Sequence, residues 1–153
     1  MEQSEQSEQA EQAEQSGQAA QAQQWLGAYG AAIGLRIEKA SGEEVVARWD
    51  VGPHLLQPFG IVHGGVHCTV VESLGSVAGS LWLAGRGSVV GVNNSTDFYR
   101  AVREGSLRSV ATPLHRGRSQ QVWVIETRDE QDRLVSRGQL RMQNLSPQPA
   151  AQD

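Results

Sequence analysis

The chain has 153 residues, enough for one domain with a core of its own, and its 17 acidic and 13 basic side chains leave a net charge of −4. Five of the acids (Glu2, Glu5, Glu8, Glu11 and Glu14) lie in the first 14 residues, and without them the charge is +1 with no basic block, which argues against nucleic acid as a partner. The single cysteine, Cys68, excludes an internal disulfide, and no apolar run approaches the roughly 20 residues of a membrane span. With no basic start followed by an apolar run, the N-terminus does not read as a secretory signal, so a cytoplasmic protein is expected.

Residues 1–24 repeat Glu-Gln-Ser/Ala every three residues and hold no aromatic or branched apolar side chain. Such a tract cannot bury enough surface to offset the entropy of ordering, so a disordered acidic arm is expected there. The expected domain is 25–145, with a loose Pro-rich tail at 146–153. Trp25 to Ala32 reads as a short helix or turn. Leu35 to Lys39 and Glu44 to Val51 alternate in polarity and read as an antiparallel hairpin across Ser41-Gly42, closed by Gly52-Pro53. From Gly64 to Ala84 the residues Val66, Val70, Leu74, Val77 and Leu81 recur at helical spacing, with Ala, Gly, Ser, Cys and Thr between them. That pattern predicts a helix buried nearly all round, stopping at Gly85-Arg86-Gly87. Four strands follow: Ser88 to Phe98, Ser106 to His115, Gln120 to Arg128 and Leu134 to Gln143. The expected fold class is α+β, an antiparallel sheet wrapped around one long central helix.

The chemistry concentrates in QPFGIVHGGVHCTVVESLGS, residues 57–76. A helix that begins at Gly64-Gly65 offers unpaired N–H groups and a partial positive charge, with no side chain to block a ligand. A carbonyl oxygen that becomes negative in a transition state would be stabilised there, with Gly65 N–H as the expected donor, helped by His63 and Gln57. Glu72 stands alone in an apolar run, where burial would disfavour its charged form. It can serve as nucleophile or general base toward an acyl group, with Ser76 one turn on to orient it or a water. Seven residues of helix separate Gly65 from Glu72 by about 10 Å. The two therefore fit one reaction only if each comes from a different chain of a twofold dimer.

These residues, with ESLGSVAG, VVGV, VREG and PLHRGRSQQVW further on, closely resemble the hotdog-fold acyl-CoA thioesterases over about Gly34 to Leu145. The resemblance is closest to the 1,4-dihydroxy-2-naphthoyl-CoA thioesterases of menaquinone synthesis. Relatives of these act on 4-hydroxybenzoyl-CoA or on aryl groups carried by acyl carrier proteins. In that branch the acid is Glu, as Glu72 is; in the phenylacetate-type branch it is Asp. The resemblance implies hydrolysis of an aromatic acyl-CoA, with a proofreading thioesterase for mis-acylated carrier protein or a non-catalytic acyl-CoA sensor as alternatives. It implies no cofactor, since coenzyme A is part of the substrate, and a homodimer with active sites at the interface, assembled as a dimer of dimers. It implies Gln57, His63 and Gly64 or Gly65 at the thioester carbonyl, and Glu72 and Ser76 from the partner chain. Arg118 and Ser119 fall where the family meets the pantetheine-nucleotide end of coenzyme A. Phe98 stands where the dihydroxynaphthoyl enzymes carry a His near the acyl pocket, a departure that bears on the acyl group and not on the reaction.

The remaining chemistry-bearing residues have plainer readings. His63 and His67 are spaced as two metal ligands could be, but no third ligand accompanies them, so no metal is expected. Cys68 reads as a small packing residue. His54 and His115 read as loop residues. The four tryptophans read as core or interface, one of them able to line an acyl pocket.

Overall fold

Six strands form one fully antiparallel sheet in the computed structural model, which describes residues 16–147. They are β1 (Arg36–Ala40), β2 (Val45–Asp50), β3 (Ser88–Phe98), β4 (Ser106–Arg116), β5 (Gln120–Arg128) and β6 (Leu134–Leu145). Their spatial order is β1-β2-β4-β5-β6-β3, so β1 and β3 are the edges. The long helix α3 (Gly64–Leu83) lies across β2, β4, β5, β6 and β3. This is the expected hotdog arrangement, and the expected bounds of β3 and β5 coincide with the observed ones.

The core forms between α3 and the sheet. Val70, Val71, Leu74, Val77 and Ala78 of α3 pack against Trp49, Leu107, Trp123, Ile125, Leu140 and Met142, all buried. Polar groups that enter this layer are paired, as burial requires. Trp49 Nε1 donates to Ser109 Oγ at 3.1 Å, and Ser109 shares a hydrogen bond with Thr127 at 2.8 Å. Trp123 Nε1 donates to Gln121 Oε1 at 2.8 Å.

Two expectations need correction. The disordered arm was expected through residue 24, but residues 16–25 are helical (α1), followed by α2 (Gly27–Ala32). Residues 1–15 of that arm and residues 148–153 of the tail lie outside the described residues. Two small contacts anchor α1: Ala22 is fully buried and Leu26 nearly so. Gln23 adds a polar clasp on the edge strand, donating to Leu35 O at 3.0 Å and accepting from Ile37 N at 2.7 Å. A compositional argument counts branched apolar residues and cannot see a glutamine used to satisfy a strand edge.

The second correction concerns α3, which is not buried all round. Gly65 and Glu72 are exposed, and Cys68, Thr69, Ser73, Ser76 and Ser80 are half-buried. One stripe of small and polar residues therefore faces away from the sheet.

Candidate active site

The first turn of α3 is built by its cap. His63 is the N-cap, with extended backbone, and its Nδ1 accepts a hydrogen bond from Gly65 N at 2.9 Å. Val66 N donates to His63 O at 2.9 Å. Because Nδ1 accepts, the neutral ring carries its proton on Nε2, leaving His63 a donor toward solvent. This corrects the expectation that Gly65 N–H is the open donor: the cap has taken it. Among the described residues the Gly64 N–H has no hydrogen-bond partner, so Gly64 presents the helix-end amide. Gln57 turns its Oε1 to Phe59 N at 3.0 Å, which leaves its amide N–H groups to donate elsewhere.

Gly64 opens onto a cavity of about 370 Å³ whose walls include Gln57, Val62, His67, Phe98, Tyr99 and Arg100. The Phe98 ring lies so close over Gly64 that a Cβ there would sit 3.0 Å from two of its carbons, so any larger residue would push the ring aside. His67 forms the inner wall and is only 4% exposed. Burial pushes its pKa down from 6.5 to about 4, so it is a neutral imidazole at physiological pH. Its Nδ1 shares a hydrogen bond with Ser136 Oγ at 3.1 Å, and its ring centroid is 5.7 Å from those of both Trp49 and Phe98.

Glu72 stands about 10 Å further along α3, two turns from Gly65. The expectation of a desolvated carboxylate fails here, because Glu72 is on the outward stripe and exposed. It is nevertheless held: Asn94 Nδ2 of β3 donates to Glu72 Oε2 at 3.2 Å and to Cys68 O at 2.9 Å. Ser76 is half-buried and shares a cleft of about 160 Å³ with Trp25, Leu26, Ser73, Val77 and Ser80.

Arg118 and Ser119 lie elsewhere, in the turn between β4 and β5. Arg118 lines a separate cavity of about 290 Å³ with Trp82, Leu83, Arg86 and Asn144, at the C-terminal end of α3. Asn144 pins that turn, donating through Nδ2 to Arg118 O at 3.1 Å and through its backbone to Ser119 O at 2.8 Å. The Arg86 guanidinium lies 5.0 Å from the centre of the Trp82 ring.

The expected residues thus fall into three places along α3. Gln57, His63, Gly64, Gly65 and Phe98 meet at its start, Glu72 and Ser76 stand on its outer face, and Arg118 and Ser119 are at its far end. Sequence reading missed Asn94, and it missed His67, Tyr99 and Arg100 as cavity walls. For His67 the signal was available, since it falls one helical turn after His63 and beside the apolar positions. For Asn94 it was not, as a strand bulge hides which way the side chain faces.

The thioesterase superfamily matches residues 59–136, a span that includes Gly64, Glu72, Asn94 and Arg118. A Mycobacterium tuberculosis esterase is 46% identical over 124 residues, covering 79% of this chain and 89% of its own length. Its solved structure superposes with a TM-score of 0.77. The Escherichia coli 1,4-dihydroxy-2-naphthoyl-CoA hydrolase is 41% identical over 106 residues, 69% of this chain and 78% of that one. The structure of S. sahachiroi AziG is 53% identical, covering 79% of this chain and 98% of its own, with a TM-score of 0.78. The family match over half of the chain, this extent of identity and these superpositions place the chain in the thioesterase superfamily, as a thioester hydrolase of hotdog fold.

Proposed function

We propose that the chain hydrolyses an aromatic acyl-CoA, of the 1,4-dihydroxy-2-naphthoyl or hydroxybenzoyl type, at a site shared between two chains. The observation that carries this reading is the cavity beside Gly64, walled by the rings of Phe98, Tyr99 and His67. Flat apolar walls with a neutral imidazole suit a planar aryl group that bears hydroxyls, and suit a flexible aliphatic chain less well. The name of the E. coli relative supports the same class.

In this reading the thioester oxygen lies against Gly64 N–H, with His63 Nε2 and the Gln57 amide as further donors. Charge that develops on that oxygen meets the positive end of α3. Glu72 of the partner chain either takes a proton from the attacking water and passes it to the departing sulfur, or attacks the carbonyl carbon to give a mixed anhydride that water then cleaves to the acid and free Glu72, with a proton from water going to the sulfur; either way coenzyme A departs as thiol. Two α3 helices packed antiparallel about an axis near Cys68 bring Gly64 of one level with Glu72 of the other. The stripe of small residues on α3 permits that close approach. The chain that supplies Glu72 then also supplies Arg118, in the β4–β5 turn beside the C-terminal end of α3, and that end lies about 16 Å along the helix from Glu72, a suitable reach for the nucleotide end of coenzyme A.

Two experiments test the reading. Hydrolysis of aryl-, short- and long-acyl-CoA is compared with hydrolysis of an aryl-carrier-protein. Fastest turnover is expected on aryl-CoA, and preference for a long aliphatic chain or for the carrier protein would refute it. Separately, inactive H63A and E72A chains are mixed and allowed to exchange. A shared site predicts recovered activity, because each heterodimer holds one intact site; no recovery between exchanging chains would refute sharing.

A further inference from the structure

The clasp on Glu72 comes from one strand, β3. Resting on Glu72 as the reacting acid of the proposed hydrolysis, we propose that β3 is a cradle for its carboxylate, with Asn94 as a positioning residue, Thr96 fixing the Asn94 amide and Gly91 leaving the space.

The register explains how three residues come to face α3. In a regular strand Gly91 and Asn94, an odd number apart, point to opposite faces. The pairing of β3 with β6 shifts between Gly91 and Asn93. Gly91 lies opposite Met142 and Asn94 opposite Leu140, and both of these are fully buried toward α3. Cross-strand partners share a face, so the bulge at Val92 turns Gly91 and Asn94 to the same side, with Thr96 two residues on. The backbone of Gly91 is what the Glu72 carboxylate rests on, and a side chain there would collide with Oε1.

The hydrogen bonds leave the Asn94 amide one orientation. Both Nδ2 protons are used, one on Glu72 Oε2 at 3.2 Å and one on Cys68 O at 2.9 Å. Thr96 Oγ1 donates to Asn94 Oδ1 at 2.7 Å. Flipping the amide would set Oδ1 against two acceptors, Glu72 Oε2 and Cys68 O. Cys68 is four residues before Glu72, so one amide ties β3 to the helical turn from which Glu72 projects. Among the described residues no Lys, Arg or His pairs with Glu72, and Asn94 supplies its side-chain donor. Among the described residues Oε1 has no donor, and in this proposal it is the oxygen that attacks or accepts a proton.

The test uses the full chain and benzoyl-CoA as probe, with E72Q, N94D, N94L, T96V and G91A. N94L is expected to lower kcat about tenfold and T96V about threefold, with KM held within about twofold. In N94D a second carboxylate faces Glu72, so the acid limb of the pH–rate profile moves up by about one pH unit. Carbon-13 NMR of the Glu72 carboxyl reads the same shift without substrate. Equal Glu72 titration in N94D and wild type, or unchanged kcat in N94D, N94L and G91A, overturns the proposal. If N94D folds poorly, T96V and G91A carry the decision, since neither removes the donor yet both disturb its aim. E72Q separates the two levels. An active E72Q overturns the role of Glu72 and the cradle with it, whereas an inactive E72Q with fully active N94L overturns the cradle alone.

Discussion

β5 and β3 flank the same strand, β6, and differ in almost everything else. β5 is interior: Gln121, Trp123, Ile125 and Thr127 are buried on one face, and Val124 is buried on the other. β3 is longer, 11 residues against 9, and is paired along its length to β6, yet only Val89 and Thr96 are even half-buried. Its outer edge has no neighbour strand among the described residues. A strand that contributes to the core has its residues dictated by volume. An edge strand that contributes little is free to carry Asn, Thr and Gly where they serve a carboxylate. On the proposed mechanism, an interior strand and an edge strand of one sheet are thus put to different uses, stability and chemistry.

The division predicts that the largest effect on activity and the largest effect on stability fall under different strands. Glu72, held by β3, is exposed and makes no ion pair among the described residues. E72Q is expected to lower kcat by roughly a thousandfold, about 4 kcal/mol of transition-state stabilisation. Its denaturation midpoint should stay close to wild type. Steady-state release of thiol and a urea titration measure the two. A large loss of stability in E72Q would break the division.

Trp123 of β5 is the converse case. It is fully buried and its indole N–H is paired with Gln121. W123A opens a large void and leaves the Gln121 carbonyl without that donor, for a cost of about 3 to 4 kcal/mol. In the fraction that remains folded, kcat on an aryl-CoA should be near wild type. Urea denaturation followed by circular dichroism gives the first number and an active-site titration normalises the second.

This division also marks what the sequence could disclose. Helix α3 was legible because Val70, Leu74 and Val77 keep helical spacing whichever partner covers them. β5 was legible because Trp123 and Ile125 alternate with Val122 and Val124 between Gly117 and the Asp129 turn. That Gln57, His63 and the glycine pair would meet at the start of α3 followed from a pattern local in sequence. Which glycine keeps an open N–H did not, since that depends on the His63 ring bonding back to Gly65. Nor did the exposure of Glu72, because a helix pattern shows that a residue lies off the core face, not what lies beyond it. Asn94 was hidden by a bulge that reverses the parity of the strand, and α1 by packing through alanine and a glutamine clasp.

His67 sits where the two uses meet, on α3 beneath Phe98 at the end of β3. Its folded pKa of about 4 lies below its ordinary 6.5, so the folded chain disfavours the protonated ring. The stability this represents is fully present above pH 6.5 and is lost as pH falls toward 4. Between pH 7.5 and 5 the wild type should lose about 2 kcal/mol through this group. H67L should lack that part of the slope, as urea midpoints at the two pH values would record. Equal slopes in the two proteins would remove His67 from the apolar layer between cavity and core.

The sharpest contrast uses one residue type in both strands' company. Glu126 is the only acid of β5, as Glu72 is the acid under β3. It is half-buried on the face of β5 opposite Trp123 and pairs with Arg128 at 3.1 Å and Arg137 at 3.5 Å. Pairs so open to water contribute little, because solvent screens them and two long side chains must be ordered to make them. E126Q should therefore change stability by less than about 1 kcal/mol and leave kcat and KM untouched. Glu126 has more side-chain partners than Glu72, one on each carboxylate oxygen, yet the same change of acid to amide should silence only the enzyme whose carboxylate has an oxygen left over. A fall in kcat for E126Q as large as that for E72Q would mean that charge on the sheet, and not a carboxylate placed at the start of a partner helix, drives the reaction.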